Sequence, residues 1–529
     1  MQAECAMNKA QNGPENKRSA GAADQASMAL HTDARGNDAA TAPAAPGAAG
    51  TDAHCFASPL EAVTPNPESA TARSAAIKNL LASLDAADIT YAITHGYEEL
   101  GQRCDSDVDL LIAPRDLSRK LPAALAAAAR RENLIIVQWL RGFPDDAQYI
   151  VLANMQAPAA PWFIVVHVAP CAGLCGRMFF PAAKLLRSRQ RLGDFFILPP
   201  ALEFAAYLAR KVAKAQLDLP QYQTLARRYA LDPTGCAMAV RSLWRKPLAE
   251  QIIGAFENNS ADAPAGHALL VRLLPRLRAA LLRGSLRKHP AHAAKCAIMR
   301  QCHRVQRYAR PPAGLHVVFL GPDGVGKTTV LERVFDTLGP AFPARTYRTF
   351  APGLIFFRGN RSETPVSYVP HGKPPRSLAP SLIKAGWWFT YYTAGYWVTV
   401  RRDIARSALS INHRYFMDAL VDPKRYRYGG PHWLLQFIWK CSAKPGITLV
   451  LDAPADVIQR RKQEVPPEET QRQLNEYRGL LKGLKHGHLV NAAQDIQAVT
   501  AQANGIIINH MAQRTARRMG LAASGKEGA

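Results

Sequence analysis

Nine cysteines lie scattered through 529 residues, and no two form a C-x-x-C pair. That pattern argues against a disulfide-stapled secreted scaffold and predicts reduced thiols in a cytoplasmic protein. His167, Cys171 and Cys175 recur every four residues and would align on a helix, yet three ligands fall short of the four that structural zinc takes. Long apolar runs are also missing. The stretch that looks most like a membrane segment, residues 385–400 (AGWWFTYYTAGYWVTV), has 16 residues and is rich in Trp and Tyr. A span needs roughly 20 residues, so this stretch predicts a buried aromatic helix and no transmembrane segment, with docking at a membrane interface as the alternative. The first residues lack the apolar core of a secretory leader.

Acidic residues are in short supply: 41 Asp and Glu against 66 Lys and Arg, a net charge of +25. The excess is local. The first 75 residues hold 5 basic and 8 acidic side chains, so the remainder carries +28. Between positions 268 and 310 there are 11 Lys and Arg and no Asp or Glu. Leu269, Leu270, Leu273, Leu274, Leu277, Leu281 and Leu282 recur there at helical spacing. This predicts an amphipathic connector with a solvated basic face, and an anionic surface is the partner such a face would attract.

What is present divides the chain. Residues 1–75, poor in aromatics and rich in Ala, Gly, Pro, Asn and Asp, predict a disordered tail. Residues 76–200 predict a mixed α/β domain. Its helix covers 76–84, and its strands cover 90–94, 108–112, 134–137 and 162–168. Residues 201–312 form the helical connector, 313–511 a second α/β domain, and 512–529 a loose basic tail. There is no internal repeat.

The most informative stretch is Gly321-Pro322-Asp323-Gly324-Val325-Gly326-Lys327-Thr328-Thr329, which fits G-x-x-x-x-G-K-[ST]. An apolar strand pattern at 315–320 precedes it. A helical pattern follows, with Val330, Leu331, Val334, Phe335 and Leu338 on one side. Glycines let the backbone approach phosphates, and the turned N–H groups with the helix N-terminus make an anion nest. Gly321, Asp323, Gly324, Val325, Gly326, Lys327, Thr328 and Thr329 are thus the expected ATP-binding residues. Lys327 would reach the β- and γ-phosphates, and Thr328 would place its hydroxyl on Mg²⁺.

Together with Asp323 and the stretch His413-Arg414-Tyr415, this loop makes residues 313–511 resemble the thymidylate kinase family. The fold class expected is therefore α/β, a P-loop-type parallel sheet with flanking helices. The resemblance implies that Asp323 faces the sugar of an acceptor nucleotide and that Arg414 serves catalysis. It also implies that Arg460, Arg461 and Lys462 form a lid whose cations neutralise the transferring phosphoryl group. Two positions depart from the family pattern. His413 stands where the family has an acidic metal ligand, with Asp403, Asp418 and Asp422 as alternative acids. Phe350-Ala351-Pro352-Gly353 keeps a Pro-Gly but lacks the preceding Arg, which Arg345, Arg348 or Arg358 could replace. Residues 369–376 read as a loop gating the acceptor site.

Residues 91–112 resemble the DNA polymerase β-type nucleotidyltransferase fold, with Gly96 after a first strand and Asp107-x-Asp109 on the next. Alternation would put Asp107 and Asp109 on one face, where they could hold Mg²⁺. Tyr97 replaces a small residue, and the strand at 162–169 lacks the third acid of that family. The expected activity is phosphoryl transfer from ATP to a nucleoside monophosphate. A catalytically impaired nucleotide-binding regulator and a nucleotidyltransferase linked to surface-polysaccharide synthesis remain as alternatives. The expected partners are the nucleotide substrate and an anionic surface at the connector, with a homodimer left open.

Overall fold

The computed structural model describes residues 67–101, 107–141, 147–174, 176–257, 264–309, 311–350 and 374–521. Two sheets organise them. The first half contributes β1 (Tyr91–Ile93), β2 (Val108–Ile112), β3 (Leu134–Arg141), β4 (Gln148–Asn154) and β5 (Trp162–Ala169), then β6 (Cys171–Leu174), β7 (Arg177–Pro181), β8 (Gln190–Leu192) and β9 (Phe195–Ile197). Seven of these form a mixed sheet in the order β3-β4-β5-β2-β1-β9-β8, while β6 and β7 make a separate antiparallel pair.

Strand β4 was not evident from periodicity. All seven of its residues are buried, so it has no alternation to betray it. His167 lies on β5 and Cys171 on β6, so the four-residue spacing does not align them on a helix; Cys175 lies outside the described residues. The first helix, Pro67–Ala86, begins within the stretch expected to be disordered. Ala70, Ala76, Ile77, Leu80, Leu81 and Leu84 bury one side of it against the sheet, which is enough to hold an alanine-rich segment helical.

The connector is a packed helical layer. Leu270, Leu273, Leu274, Leu277 and Leu281 on the helix Pro264–Lys288 are buried in a core that includes Phe204, Tyr222, Trp244 and Phe256. Arg272, Arg276, Arg278, Arg283 and Arg287 line its exposed side, as the leucine spacing requires.

The second sheet is wholly parallel. Its strands are β10 (Leu315–Leu320), β11 (Arg345–Thr349), β12 (Leu409–His413), β13 (Ile447–Asp452) and β14 (Gly487–Asn491), in the order β11-β12-β10-β13-β14. The chain enters at the centre, builds one side, then crosses to build the other. The strand order therefore reverses beside β10, and in open parallel sheets the crevice at such a reversal is where ligands bind. The molecule is thus α/β with one mixed and one parallel sheet. Among the described residues no helix is long and apolar enough to cross a membrane.

The helix Ile496–Met519 corrects the expectation of a loose tail from 512. Val499, Ala503, Ile507, Ile508 and Met511 bury its inner face in a core shared with Val137, Leu140 and Val151 of the first sheet. The Thr515 hydroxyl donates to Val137 O at 2.8 Å, and Asn504 donates to Pro158 O at 2.9 Å. Arg514 donates to the carbonyl oxygens of Pro312, Ala313 and Gly314 at 2.6, 2.7 and 3.0 Å. Arg514, expected to trail in solvent, is instead a partner of backbone oxygens, as is Arg518 through Trp139 O at 3.4 Å, which orders this end of the helix.

Candidate functional site

At the carboxyl end of β10 the chain turns through Gly321 to Gly326 and enters the helix Lys327–Thr337. The turn requires glycine. Gly321 has φ +138°, and a Cβ there would lie 2.7 Å from Leu451 O. Gly324 has φ +84°, and a Cβ would lie 2.9 Å from Lys462 Cβ. Gly326, at the helix N-terminus, faces open space within 4 Å, and no side chain caps the helix. Uncapped N–H groups around a glycine-lined opening suit an anion with several oxygens. Thr328 and Thr329 are exposed at the same end, and Val325 is buried beneath it.

Lys327 is only 5% exposed. Its ammonium donates to Gly321 O and Pro322 O at 2.8 Å each and lies 3.4 Å from Asp323 Oδ1. Burial, seconded by the Arg414 guanidinium, pushes its pKa down to about 7, against the pull of Asp418 and Glu464. Asp323 pairs with both Arg414 and Arg425. Arg414 takes a left-handed backbone, φ +73°, at the end of β12 while its N–H bonds Phe319 O at 3.0 Å. A bulky residue in that region is strained, and such strain concentrates at functional positions.

His413 stands beside Phe319 in register at the end of β12. Burial, then Lys327 and Arg414, hold its pKa down at about 3, so the imidazole is neutral. Its Nε2 is buried and makes no hydrogen bond. The acids considered as its replacement are all engaged. Asp418 accepts from Tyr415 N at 2.8 Å and Tyr477 Oη at 2.7 Å. Asp422 accepts from Arg425 N and Gln473, and Asp403 pairs with Arg348. For Mg²⁺ the described residues around the turn offer the Thr328 hydroxyl, a neutral imidazole and the Glu464 carboxylate, whose buried Oε2 makes no hydrogen bond, a thin set for a cation that prefers several hard oxygens. The glycine turn offers backbone donors to an anion, and one unbonded carboxylate oxygen lies at its mouth.

The three expected lid cations separate. Arg461 donates to Ala492 O at 2.9 Å and Val325 O at 3.4 Å, bracing the turn from behind. Lys462 pairs with Glu464 and packs on Gly324. Arg460 is exposed and bonds Asp456 at 2.7 Å, away from the turn. Of the arginines considered as replacements for the one missing before Pro352-Gly353, Arg345 donates to Phe335 O at 2.8 Å, and Arg348 bonds Asp403 and Ser410. Arg358, residues 351–353 and most of the expected gating loop lie outside the described residues.

Sequence reasoning missed Arg425 and Glu464. Arg425 joins Asp323 and lies 3.8 Å from Glu464, closing a ring of alternating charge around the mouth of the turn. The only sequence signal for it was the cation-rich run Lys424-Arg425-Tyr426-Arg427 after Asp422-Pro423.

In the first half, Asp107 immediately precedes β2 and pairs with His167 Nε2 at 3.1 Å. Asp109 pairs with Arg210 at 3.0 Å and with His95 Nε2 at 3.2 Å. Burial pushes the Asp109 carboxyl up, but Arg210, His95 and His167 outweigh it and hold the group well below the usual range. His167 is the register partner of Asp109 on the very strand where a third acid was looked for. Two imidazoles and a guanidinium thus engage the acid pair. Among the described residues no group of three or more His, Cys, Asp or Glu is arranged to hold a metal ion. Tyr97 has its own role: its hydroxyl donates to Glu203 at 2.8 Å, tying the glycine turn at Gly96 to the helix Pro200–Lys214.

No family model matches the chain, and no curated protein matches it.

Proposed function

We propose that the chain is an ATP-dependent phosphotransferase, with a nucleoside monophosphate as acceptor by resemblance. The observation that carries this reading is Lys327: a buried ammonium folded onto the carbonyls of its own glycine turn. A triphosphate in the turn supplies the negative charge that burial withholds, and Lys327 exchanges its carbonyl partners for phosphate oxygens. The strand reversal beside β10 and the uncapped helix N-terminus support the same assignment.

Asp323 and its two guanidiniums then face the acceptor. An acceptor phosphate competes with Asp323 for Arg414 and Arg425 and frees that carboxylate to accept a sugar hydroxyl. The acceptor phosphate oxygen bonds to the γ-phosphorus as the bond to the ADP oxygen breaks. That oxygen is already ionised near neutral pH, so no general base is needed. Positioning and charge neutralisation are the protein's contribution.

The second reading, a nucleotide-binding regulator with impaired chemistry, is favoured by the neutral His413 and the engaged acids around it. ADP release measured against a panel of nucleoside monophosphates, with Lys327→Ala as control, separates the two. Stimulation by one monophosphate that disappears in the control supports the transferase. Binding of ATP with no stimulation by any of them supports the regulator.

A further inference from the structure

We propose that one face of the second half docks on an anionic lipid surface. The face is built on the helix Leu378–Thr390, its π-helical continuation Tyr391–Gly395 and the turn Tyr396–Val398. Exposed positions there run in one helical stripe: Ala379, Leu382 and Ile383, Gly386 and Trp387, Thr390, Ala394, then Trp397 and Val398. Ile383 is 75% exposed, Trp397 58% and Trp387 48%. Beside it, the helix His432–Cys441 exposes Trp433 at 65% and Phe437 at 50%. The rings of Phe389 and Phe437 lie parallel at 6.4 Å, which joins the two helices into one surface.

An exposed apolar surface with this much tryptophan marks an interaction site. Charge selects the partner. Residues 374–400 and 431–450, which build this face, hold Arg376, Lys384, Lys440 and Lys444 and no Asp or Glu. Arg376 and Lys440 are exposed at this face, and Lys444 lies with its ammonium 3.5 Å from the centre of the Trp439 ring. A second copy apposed about a two-fold axis would bring these cations against their own counterparts with no acid from either segment to receive them. An anionic bilayer surface accepts both components, since Trp and Tyr favour the headgroup region and Lys and Arg favour acidic headgroups. No helix here is long and apolar enough to span, so the expected mode is lying on the membrane. The face is distinct from the glycine turn, and the proposal does not depend on nucleotide chemistry.

The test is co-sedimentation of the full chain with phosphatidylcholine vesicles, with and without phosphatidylglycerol. Binding is expected only where phosphatidylglycerol is present. Ile383→Glu combined with Trp433→Glu is expected to weaken it about tenfold or more, because apolar area is lost and charge repulsion gained. Trp433→Phe keeps a ring and is expected to retain binding, whereas Lys440→Glu reduces it. Unchanged urea unfolding of each variant shows that the fold is intact. Equal binding by the double variant, or equal binding to vesicles lacking phosphatidylglycerol, overturns the proposal. So does a lipid-free dimer that the double substitution splits in sedimentation equilibrium.

Discussion

Asp323 and Arg414, 91 residues apart, form an ion pair across the mouth of the glycine turn. Arg425 binds the other carboxylate oxygen, so one acid holds two guanidiniums beside the ammonium of Lys327. Replacing it by Asn separates its two effects. Removing a negative charge next to the proposed phosphate site is expected to tighten ATP binding about three- to tenfold. The freed guanidiniums lose their orientation, so acceptor-stimulated ADP release is expected to fall. Isothermal titration with ATP and a turnover assay on Asp323→Asn check both directions.

The depressed pKa of Lys327 sets a pH dependence with a definite sign. Its ordinary value is 10.5 and its folded value about 7. Between those values the unfolded chain binds more protons, so this lysine makes the empty protein more stable as pH rises from 7 toward 10.5. ATP binding runs the other way. A triphosphate favours the ammonium, so binding takes up a proton and affinity drops as pH rises above 7, by at most about tenfold per pH unit. Calorimetry in buffers of different ionisation enthalpy counts that proton, and Lys327→Met is expected to abolish the uptake.

His413→Asp tests whether the neutral imidazole limits the chemistry. A carboxylate there adds a hard oxygen at the end of β12 and an anion near Lys327. Acceptor-stimulated turnover is expected to rise, and the Mg²⁺ concentration giving half-maximal rate is expected to fall about tenfold. The substitution also removes an acid-sensitive group. His413 has a folded pKa near 3 against 6.5, so the stability it contributes by remaining neutral is lost as pH falls from 6.5 to 3. Urea titrations across that range are expected to show a shallower decline in the variant from this term.

Arg514 is expected to matter more than a terminal basic residue ordinarily does. It is largely buried with three carbonyl partners, and burial pushes its pKa down to about 10. Arg514→Met leaves those carbonyls unsatisfied and is expected to cost about 2–4 kcal/mol. Deleting residues 512–529 is expected to cost more, since Thr515 and its bond to Val137 go too. Urea unfolding of both proteins measures it; a truncation as stable as the full chain would mean the helix end is dispensable.

The glycine turn was legible because its chemistry is local: Gly321 through Thr328 sit at fixed spacing, flanked by a strand and a helix with strong patterns. The leucines of the connector were legible for the same reason. Arg425 and Glu464 were not, because what defines them is a meeting across the sheet, with Arg425 reaching Asp323 from 102 residues away. His167 could be seen as a missing acid, but its pairing with Asp107 depends on β5 lying beside β2. The end of the helix Ile496–Met519 read as a tail because its arginines suggested solvent, and only the fold reveals the carbonyls waiting for Arg514. Strand β4 was hidden by uniform burial, which leaves no alternation to read.

The helix Ile496–Met519 seals the core shared with the first sheet through Thr515 and Asn504. Its residues are synthesised more than 300 positions after strands β3 and β4. During translation those strands must wait, their inner face uncovered, while the connector and the whole second sheet emerge. The early sheet is therefore exposed to aggregation for most of the ribosome's passage along the message, a natural substrate for a chaperone. Cutting the chain between the halves would make that waiting permanent, so the first half expressed alone is expected to partition into the insoluble fraction.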